Sequence, residues 1–214
     1  MGDRLIALNT QGYFDADIQS FSDRHRPLSL SVTEHKQSDL RNLEIDGYRV
    51  ASGHPSSQRG SAVLVRDDVS YRPRRDLDSF SRDRLFEVSS VEYPSHNTVQ
   101  TAIYRSPNSS KTEFNRQLDD FCGYLRETEP HKKHVIGGDW NIDRNRNTVT
   151  KQVLEKHDFQ FNLRGSTHDG GRCIDNFATD FQPAKSRVMR NYSLSDHRPI
   201  EMHLPKSSSS RRRR

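Results

Sequence analysis

This 214-residue sequence has few hydrophobic residues: they make up 30% of the chain, charged residues make up 29%, and the mean hydropathy is -1.00. Such a composition approaches that of disordered chains. Strand-like and helix-like patterns nevertheless alternate along the sequence, which predicts a folded domain of modest stability. No apolar run is long enough to span a membrane, and no signal peptide follows Met1. We therefore expect no membrane partner.

Cysteine is scarce as well, since only Cys122 and Cys173 are present. Two residues cannot form a disulfide framework, so we expect free thiols in a reducing compartment, although the two could pair. The net charge of +5 and pI of about 9.3 favour a polyanionic partner such as nucleic acid. Without a spanning run or a signal peptide, a nuclear location, with the cytoplasm as alternative, is expected by default. The four arginines 211–214 supply most of this excess. The Ser/Arg segment 206–214 predicts a disordered tail after one domain over residues 1–205.

Local patterns predict the elements. Period-2 alternation from Leu28 to Thr33 predicts a strand that ends before Glu34. Ser110 and Glu113 have capping-box spacing, and apolar residues follow them at helical intervals as far as Leu125. Residues 68–84 read as a polar surface connection. Further strands are predicted over 4–9, 48–52, 61–66, 85–93, 98–104, 172–178, 187–192 and 199–204, one more ends at residue 136, and helices are predicted over 15–25, 38–43 and 148–157. This order indicates an α/β or α+β domain.

The segment 134–141, H-V-I-G-G-D-W-N, contains the first candidate site. Gly137 and Gly138 predict a sharp turn after a short buried strand, and alternation places Asp139 and Asn141 on one face. A carboxylate can orient or deprotonate a water, and a carboxamide can donate to an oxygen without adding charge. This pair suits phosphate chemistry. The alternative is an ordinary turn, where Asp and Asn are common.

Four further polar residues, an adjacent Asp-His pair, a glutamate and a tyrosine, lie beside predicted strands. Asp196 and His197 precede the last strand, and they offer an acceptor and a group that titrates near neutrality. Glu34 ends a strand and could bind a hard cation such as Mg²⁺. Tyr104 ends another strand, where its hydroxyl could bind a phosphate oxygen. The alternatives are a polar turn, a solvated glutamate and a tyrosine at the edge of the core.

Taken together, these segments resemble the exonuclease–endonuclease–phosphatase superfamily, typified by DNase I and the apurinic endonucleases. The motifs occur in the family's order, although Leu8 replaces its usual tryptophan and Thr33 its glutamine. They are L-N-T-Q-G at 8–12, V-T-E at 32–34, A-I-Y-R-S-P at 102–107, G-D-W-N at 138–141, I-D at 174–175 and S-D-H at 195–197. The resemblance implies a DNase I-like α/β fold, a four-layer α/β/β/α sandwich of two stacked mixed sheets flanked by helices.

The resemblance also implies a metal-dependent DNA endonuclease that leaves 3′-hydroxyl and 5′-phosphate ends. Mg²⁺, or Mn²⁺ in its place, would be held by Glu34, by Asn9 through water, and by Asp196. Asp139 and Asn141 would position the attacking water. Asp175 would orient His197, which would donate to the phosphate, and Tyr104 would contact the phosphate or the leaving group. The residues expected to contact DNA are Arg105, Arg172 and Arg198.

Within the superfamily, the sequence looks most like the endonucleases of non-LTR retrotransposons, which nick target DNA. Apurinic endonucleases carry tryptophan and tyrosine at the positions of Arg172 and Asn176, so an abasic-site pocket is not expected. The chain would then be an excised domain or a stand-alone relative, monomeric as a domain. Two alternatives stay open: another phosphoesterase of the superfamily (AP endonuclease, RNase or phosphatase), and a non-catalytic nucleic-acid-binding domain.

Overall fold

A computed structural model describes residues 3–13, 16–192 and 194–205 of the chain. The predicted tail, residues 206–214, lies outside this range. No helix in the described ranges is both long and apolar enough to cross a membrane. The elements in chain order are β1 (Arg4–Asn9), α1 (Ala16–His25), β2 (Ser29–Thr33), a 3₁₀ turn (Leu40–Asn42), β3 (Tyr48–His54), β4 (Ser61–Arg66), β5 (Arg72–Pro73), α2 (Arg75–Asp78), β6 (Glu87–Tyr93), a second 3₁₀ turn (Pro94–His96), β7 (Thr98–Tyr104), α3 (Lys111–Thr128), β8 (Lys133–Asp139), α4 (Val149–Lys156), β9 (Gln160–Phe161), β10 (Asp175–Thr179), β11 (Lys185–Val188) and β12 (Ile200–His203).

The strands form two six-stranded mixed sheets. The first has the order β11-β12-β1-β2-β4-β3, and the second has the order β5-β6-β7-β8-β10-β9. In each sheet one central pair is parallel, β1 with β2 and β7 with β8, while the other pairings are antiparallel. The two sheets therefore have matching centres, and each parallel pair has its carboxyl ends at one edge of its sheet.

Three hydrophobic clusters define four layers. One cluster joins the outer face of the first sheet to α1 through residues such as Ile18 and Phe21. A second joins the outer face of the second sheet to α3 and α4, with Phe121 and Leu154 among its members. The third lies between the sheets and takes residues from both. The order helix, sheet, sheet, helix confirms the predicted α/β/β/α sandwich.

Polar side chains in the space between the sheets explain how so few hydrophobic residues form this fold. In β2 the alternating serines are fully buried, not solvated. Ser29 donates to Gln100 Oε1 at 2.6 Å, and Gln100 Nε2 donates to Ser31 Oγ at 2.8 Å. Tyr93 also donates to Gln100 Oε1, at 2.8 Å. Each of these buried polar groups is hydrogen-bonded, so burying them is tolerated.

The structure corrects several predicted elements at the edges of the sheets. The segment 68–84 contains β5 and α2, and β9 is an additional two-residue strand. The strand predicted over 187–192 is β11, which ends at Val188. The predicted capping interaction is present, because Ser110 Oγ accepts from the N–H of Glu113 at 3.3 Å. Both cysteines are buried and free, as predicted.

Candidate functional site

The predicted site residues meet at one edge of the two stacked sheets. Asn9, Thr33, Tyr104 and Asp139 are the last residues of the four parallel central strands. Asp175 is the first residue of the antiparallel strand β10 and pairs with Asp139 in register. Because an antiparallel strand begins where its neighbour ends, both kinds of strand deliver their polar ends to the same place.

Asp139 is the centre of this group. Its side chain is fully buried, and Oδ2 accepts hydrogen bonds from Asn9 Nδ2 at 2.9 Å and from Asn141 Nδ2 at 3.0 Å. Oδ1 accepts from the backbone N–H of Asn141 at 2.9 Å. Burial and the nearby Asp175 carboxylate raise the pKa of Asp139 to about 8, against the opposing effect of His197.

The backbone around Asp139 differs from the prediction. Strand β8 runs through Gly137 and Gly138, so the chain does not turn there. Glycine is required because a Cβ at Gly137 would lie 2.4 Å from Phe177 Cδ1, and one at Gly138 would lie 2.2 Å from the carbonyl oxygen of Ile103. Strand alternation does not bring Asn141 to Asp139. The chain turns after the strand, and Asn141 has a φ of 46°.

Asp175 and His197 form a buried pair. His197 Nδ1 lies 2.8 Å from Asp175 Oδ2 and 3.0 Å from Oδ1. Burial alone would lower the pKa of His197, but the carboxylates of Asp175, Asp139 and Asp196 together outweigh it and raise the pKa to about 9. An Nδ1–H donated to Asp175 leaves Nε2 facing Asp196 Oδ1 at 3.6 Å. Since Asp139 and His197 each shift the pKa of the other, these two groups titrate as a unit.

Glu34 and Tyr104 form the other side of the site. Tyr104 Oη donates to Glu34 Oε1 at 2.7 Å, and burial and Glu34 raise the pKa of Tyr104 well above its ordinary value. Glu34 has a φ of 51°, a conformation that is uncommon outside glycine and occurs at functional sites. Its N–H is held by the carbonyl of Gly60 at 2.9 Å. The carboxylate is therefore fixed in place.

Of the residues predicted to hold a metal, Glu34 is the one with an oxygen left for a hard cation. Glu34 is half-buried, and within the described residues no hydrogen bond reaches its Oε2. Mg²⁺ often takes only one or two carboxylates and fills its other positions with water and phosphate. Asn9 Oδ1 accepts the N–H of Gln11 at 3.0 Å. Because this oxygen is already engaged, a metal contact through water suits Asn9. Asp196 instead accepts from Gln11 Nε2 at 2.6 Å and faces His168 Nε2 at 3.3 Å.

The three arginines predicted to contact DNA have different environments. Arg105 is fully buried, its guanidinium donates to the carbonyls of Asn141 and Ser109, and it lies 5.6 Å from the Phe114 ring centroid. The prediction that Arg105 contacts DNA is therefore wrong, because the side chain supports the loop that carries Asn141. Arg198 is partly exposed and pairs with Asp169 at 2.5 Å, and Arg172 is exposed.

Sequence reasoning missed three residues that hold the site together. Thr167 Oγ1 accepts from the backbone N–H groups of Ile174 and Asp175 at 3.1 and 3.0 Å, which fixes the start of β10. Gln11 and His168 contact Asp196, as described above. Gln11 lies inside the 8–12 motif, whereas Thr167 and His168 lie in the loop before the 174–175 motif. The partners of Gln11 and His168 were not visible in the sequence, because these contacts join segments far apart in the chain.

No family model matches this sequence, and no curated protein sequence matches it significantly. Solved structures do match. The endonuclease domain of TRAS1, a telomere-specific non-LTR retrotransposon, is 15% identical with a TM-score of 0.73, over 95% of this chain and 98% of that one. An AP endonuclease from Archaeoglobus fulgidus is 15% identical with a TM-score of 0.66, over 94% and 99%. The Xenopus laevis APE2 catalytic domain is 12% identical with a TM-score of 0.67, over 94% and 91%. The chain therefore has the DNase I-like fold of the exonuclease–endonuclease–phosphatase superfamily, as its sequence motifs predicted.

Proposed function

We propose that this protein is a Mg²⁺-dependent DNA endonuclease that hydrolyses a phosphodiester bond and leaves 3′-hydroxyl and 5′-phosphate ends. One observation carries the proposal. Asp139 is buried among two carboxamides, beside an Asp175–His197 pair, at the edge where Glu34 and Tyr104 also lie. A binding domain has no need for a buried carboxylate–imidazole pair next to a second buried carboxylate, since each costs free energy to bury.

Asp139 is the residue that orients the attacking water. Its Oδ2 already accepts two hydrogen bonds, from Asn9 and Asn141, while Oδ1 accepts one from the backbone of Asn141. A carboxylate oxygen has two acceptor positions, so Oδ1 keeps one for the water. The three donors fix the direction in which this lone pair points.

His197 is the residue that donates to the phosphate. Asp175 holds Nδ1–H, and a pKa of about 9 keeps the imidazole protonated at neutral pH, so Nε2–H is the donor. A non-bridging phosphate oxygen that accepts from Nε2 gains charge as the water attacks, and the imidazolium stabilises that charge. Tyr104 presents its hydroxyl beside Glu34 on the opposite side of the site.

Mg²⁺, or Mn²⁺ in its place, would be held by Glu34 through its free oxygen, by Asn9 through water, and by Asp196. When bound, the ion polarises the scissile phosphate and stabilises the leaving oxygen. Oxygen ligands of this kind are the ones that Mg²⁺ prefers.

We further propose retrotransposon-type nicking of target DNA in the nucleus, by a monomeric domain. The TRAS1 endonuclease domain supports this choice, because it matches this chain over nearly the whole length of both. The AP endonuclease alternative is less well supported. Asn176 is buried, and its side chain bonds to the carbonyl of Leu163 at 3.0 Å and accepts from backbone N–H groups, so it does not line an open pocket for an abasic sugar.

The test is conversion of supercoiled plasmid to nicked circles, with Mg²⁺ and with EDTA. We expect nicking by the wild type only with the metal, and a loss of about 100- to 10,000-fold in rate for Asp139→Asn. The raised pKa makes the ionised form of Asp139 a stronger base toward water, and the isosteric amide cannot take a proton. Asp119→Asn is the matched control. Asp119 is a carboxylate on α3 that pairs with Lys156 and His157, away from the strand ends.

Equal rates for the two variants would refute the role of Asp139. Nicking in EDTA would refute the metal requirement. If the wild type binds DNA in a salt-sensitive gel shift and never nicks it, the non-catalytic alternative replaces the proposal. Substrate competition with RNA, an abasic duplex and a phosphomonoester separates the other phosphoesterase activities.

A further inference from the structure

Arg59 extends the site beyond the residues described so far. It lies in the loop between β3 and β4, and its Nη1 donates to Tyr104 Oη at 2.7 Å. Its guanidinium carbon is 5.9 Å from the centroid of the Tyr104 ring. Because Tyr104 donates in turn to Glu34, a continuous chain of hydrogen bonds runs from Arg59 to the predicted metal ligand. Arg59 is thus attached directly to the candidate active site.

The charge of Arg59 is not neutralised within the part of the chain that the structure describes. Its side chain is half-buried, forms no ion pair there, and its Nε is buried without a hydrogen-bond partner. A guanidinium has five N–H donors in a fork that matches phosphate oxygens. Burying a cation with unused donors costs free energy unless an anion completes the site. This arrangement points to an anionic ligand.

A small cleft opens beside Arg59. It has a volume of about 200 Å³ and is lined by polar residues from two loops, Ser56, Ser57, Gln58, Arg59, Asp83, Arg84 and Glu87. Arg84 supplies a second cation on the other wall, where its exposed side chain reaches Gln58 Oε1 at 3.5 Å. Arg84 has a φ of 63°, and its N–H is fixed by Glu87 Oε1 at 2.9 Å. The two arginines therefore face a common space from independent loops.

The two acids of the cleft are already engaged. Asp83 Oδ1 lies 2.8 Å from His54 Nε2. Glu87 is buried, and its oxygens accept the backbone N–H groups of Gly60 and Arg84, each at 2.9 Å. Burial raises the pKa of Glu87, against the opposing effect of these two hydrogen bonds. Both acids therefore already have hydrogen-bond partners in the protein, which leaves the two guanidinium groups of the cleft to bind an anion.

We propose that Arg59 and Arg84 form a subsite for a backbone phosphate of the nucleic-acid strand, next to the scissile phosphate. This inference rests on the proposed function for the identity of the strand. The contact between Arg59 and Tyr104 couples the subsite to the catalytic centre, so a strand held in the cleft is also placed against Tyr104 and Glu34. Phosphate contacts of this kind position the substrate without reading its sequence.

The test measures the affinity of a short fluorescent DNA duplex by anisotropy, in EDTA, over a range of salt concentrations. Arg59→Gln and Arg84→Gln are each expected to weaken binding about tenfold at low salt, as loss of one charge-assisted hydrogen bond does. Each should also reduce the slope of log affinity against log salt by about 0.9. Arg59→Lys keeps the charge and should retain most of the slope. Arg116→Gln, an exposed arginine on α3, is the matched control and should change neither quantity.

A second measurement locates the phosphate. Replacing single phosphates near the nick with neutral methylphosphonates should reveal one position that weakens binding by the wild type and has no further effect on Arg84→Gln. Because Arg84 is exposed, this variant is expected to fold even if Arg59→Gln does not.

Unchanged affinity and slope for Arg84→Gln would overturn the subsite, and so would an equal loss for Arg116→Gln. Binding in EDTA needs no chemistry, so the two proposals fail separately. If the wild type does not nick DNA but Arg59→Gln and Arg84→Gln still weaken binding, only the endonuclease proposal is refuted. If the wild type nicks DNA normally but neither Arg59→Gln nor Arg84→Gln changes DNA affinity, only the subsite proposal is refuted.

Discussion

Gly60 packs against the strand end that carries Glu34, and its carbonyl accepts the N–H of Glu34. Replacing Gly60 with alanine tests how rigidly Glu34 is held. Gly60 is buried with a φ of 99°, and a Cβ there would lie 2.3 Å from both Cε1 and Nε2 of His35. The His35 ring is itself fully buried, and its Nδ1 accepts the N–H of Gln37 at 3.0 Å. The backbone of Gly60 bonds to Glu87 and, through its carbonyl, to the N–H of Glu34.

Two effects contribute to the cost of Gly60→Ala. A non-glycine residue at this φ costs about 1–2 kcal/mol, and forcing a methyl group into a packed interior costs about 1–3 kcal/mol more. We therefore expect a loss of about 2–5 kcal/mol in the free energy of unfolding, which corresponds to roughly 4–20 °C in melting temperature for a domain of this size. Such a loss is a large part of the stability of a typical domain.

Gly47→Ala is the matched control. Gly47 has a φ of 80°, but a Cβ there would have no neighbour within 4 Å. Gly47→Ala should therefore lower the free energy of unfolding only by the backbone cost of about 1–2 kcal/mol. Urea unfolding followed by the fluorescence of Trp140, the single and buried tryptophan, measures both variants. The difference between them isolates the clash with His35.

The reasoning also predicts the double variant. In Gly60→Ala with His35→Ala the new methyl group has space, so the combined loss should be smaller than the sum of the two single losses. If Gly60→Ala is no less stable than Gly47→Ala, the His35 ring moves aside at little cost. The tight packing beneath Glu34 would then be refuted.

Three further substitutions probe other parts of the fold. Gly137→Ala should destabilise by about 1–3 kcal/mol in urea, because its Cβ would meet the Phe177 ring; an unchanged midpoint would contradict this. Arg105→Met should lower stability by roughly 1–3 kcal/mol, through loss of charged hydrogen bonds to backbone carbonyls, yet leave the salt dependence of DNA binding unchanged. The third substitution is Glu201→Gln. Burial would raise the pKa of Glu201, but the hydrogen bond from Arg187 holds it below its ordinary value of 4.5. The ionised form therefore contributes stability that is present above 4.5 and lost as pH falls, so unfolding midpoints of the wild type should drop more steeply in acid than those of Glu201→Gln.

The central strands were predictable because their own residues determine them. Residues 4–9, 61–66 and 98–104 are the predicted strands to the residue. The edge strands were not. In β11 the sequence K-S-R-V is half exposed and has no apolar pattern, so its bounds depend on pairing with β12. The burial of Ser29 and Ser31 was also invisible, since their partner Gln100 lies about seventy positions along the chain.

The candidate site shows the same division between strand ends and loops. Strand register brings together the residues at the ends of the central strands. A motif at a strand end, such as G-D-W-N at 138–141, therefore predicts where its side chains lie in the fold. Arg59 is not placed by strand register. Its position beside Tyr104 depends on the path of residues 54–60, where Ser56 Oγ accepts the N–H of Arg59 and Glu87 Oε2 accepts the N–H of Gly60. The arginine adjacent to the Asp139 strand register, Arg105, is buried, whereas this loop arginine reaches the site. For these two arginines, proximity in sequence to a site residue is therefore a poorer guide to a place at the site than the path of the loop that carries the side chain.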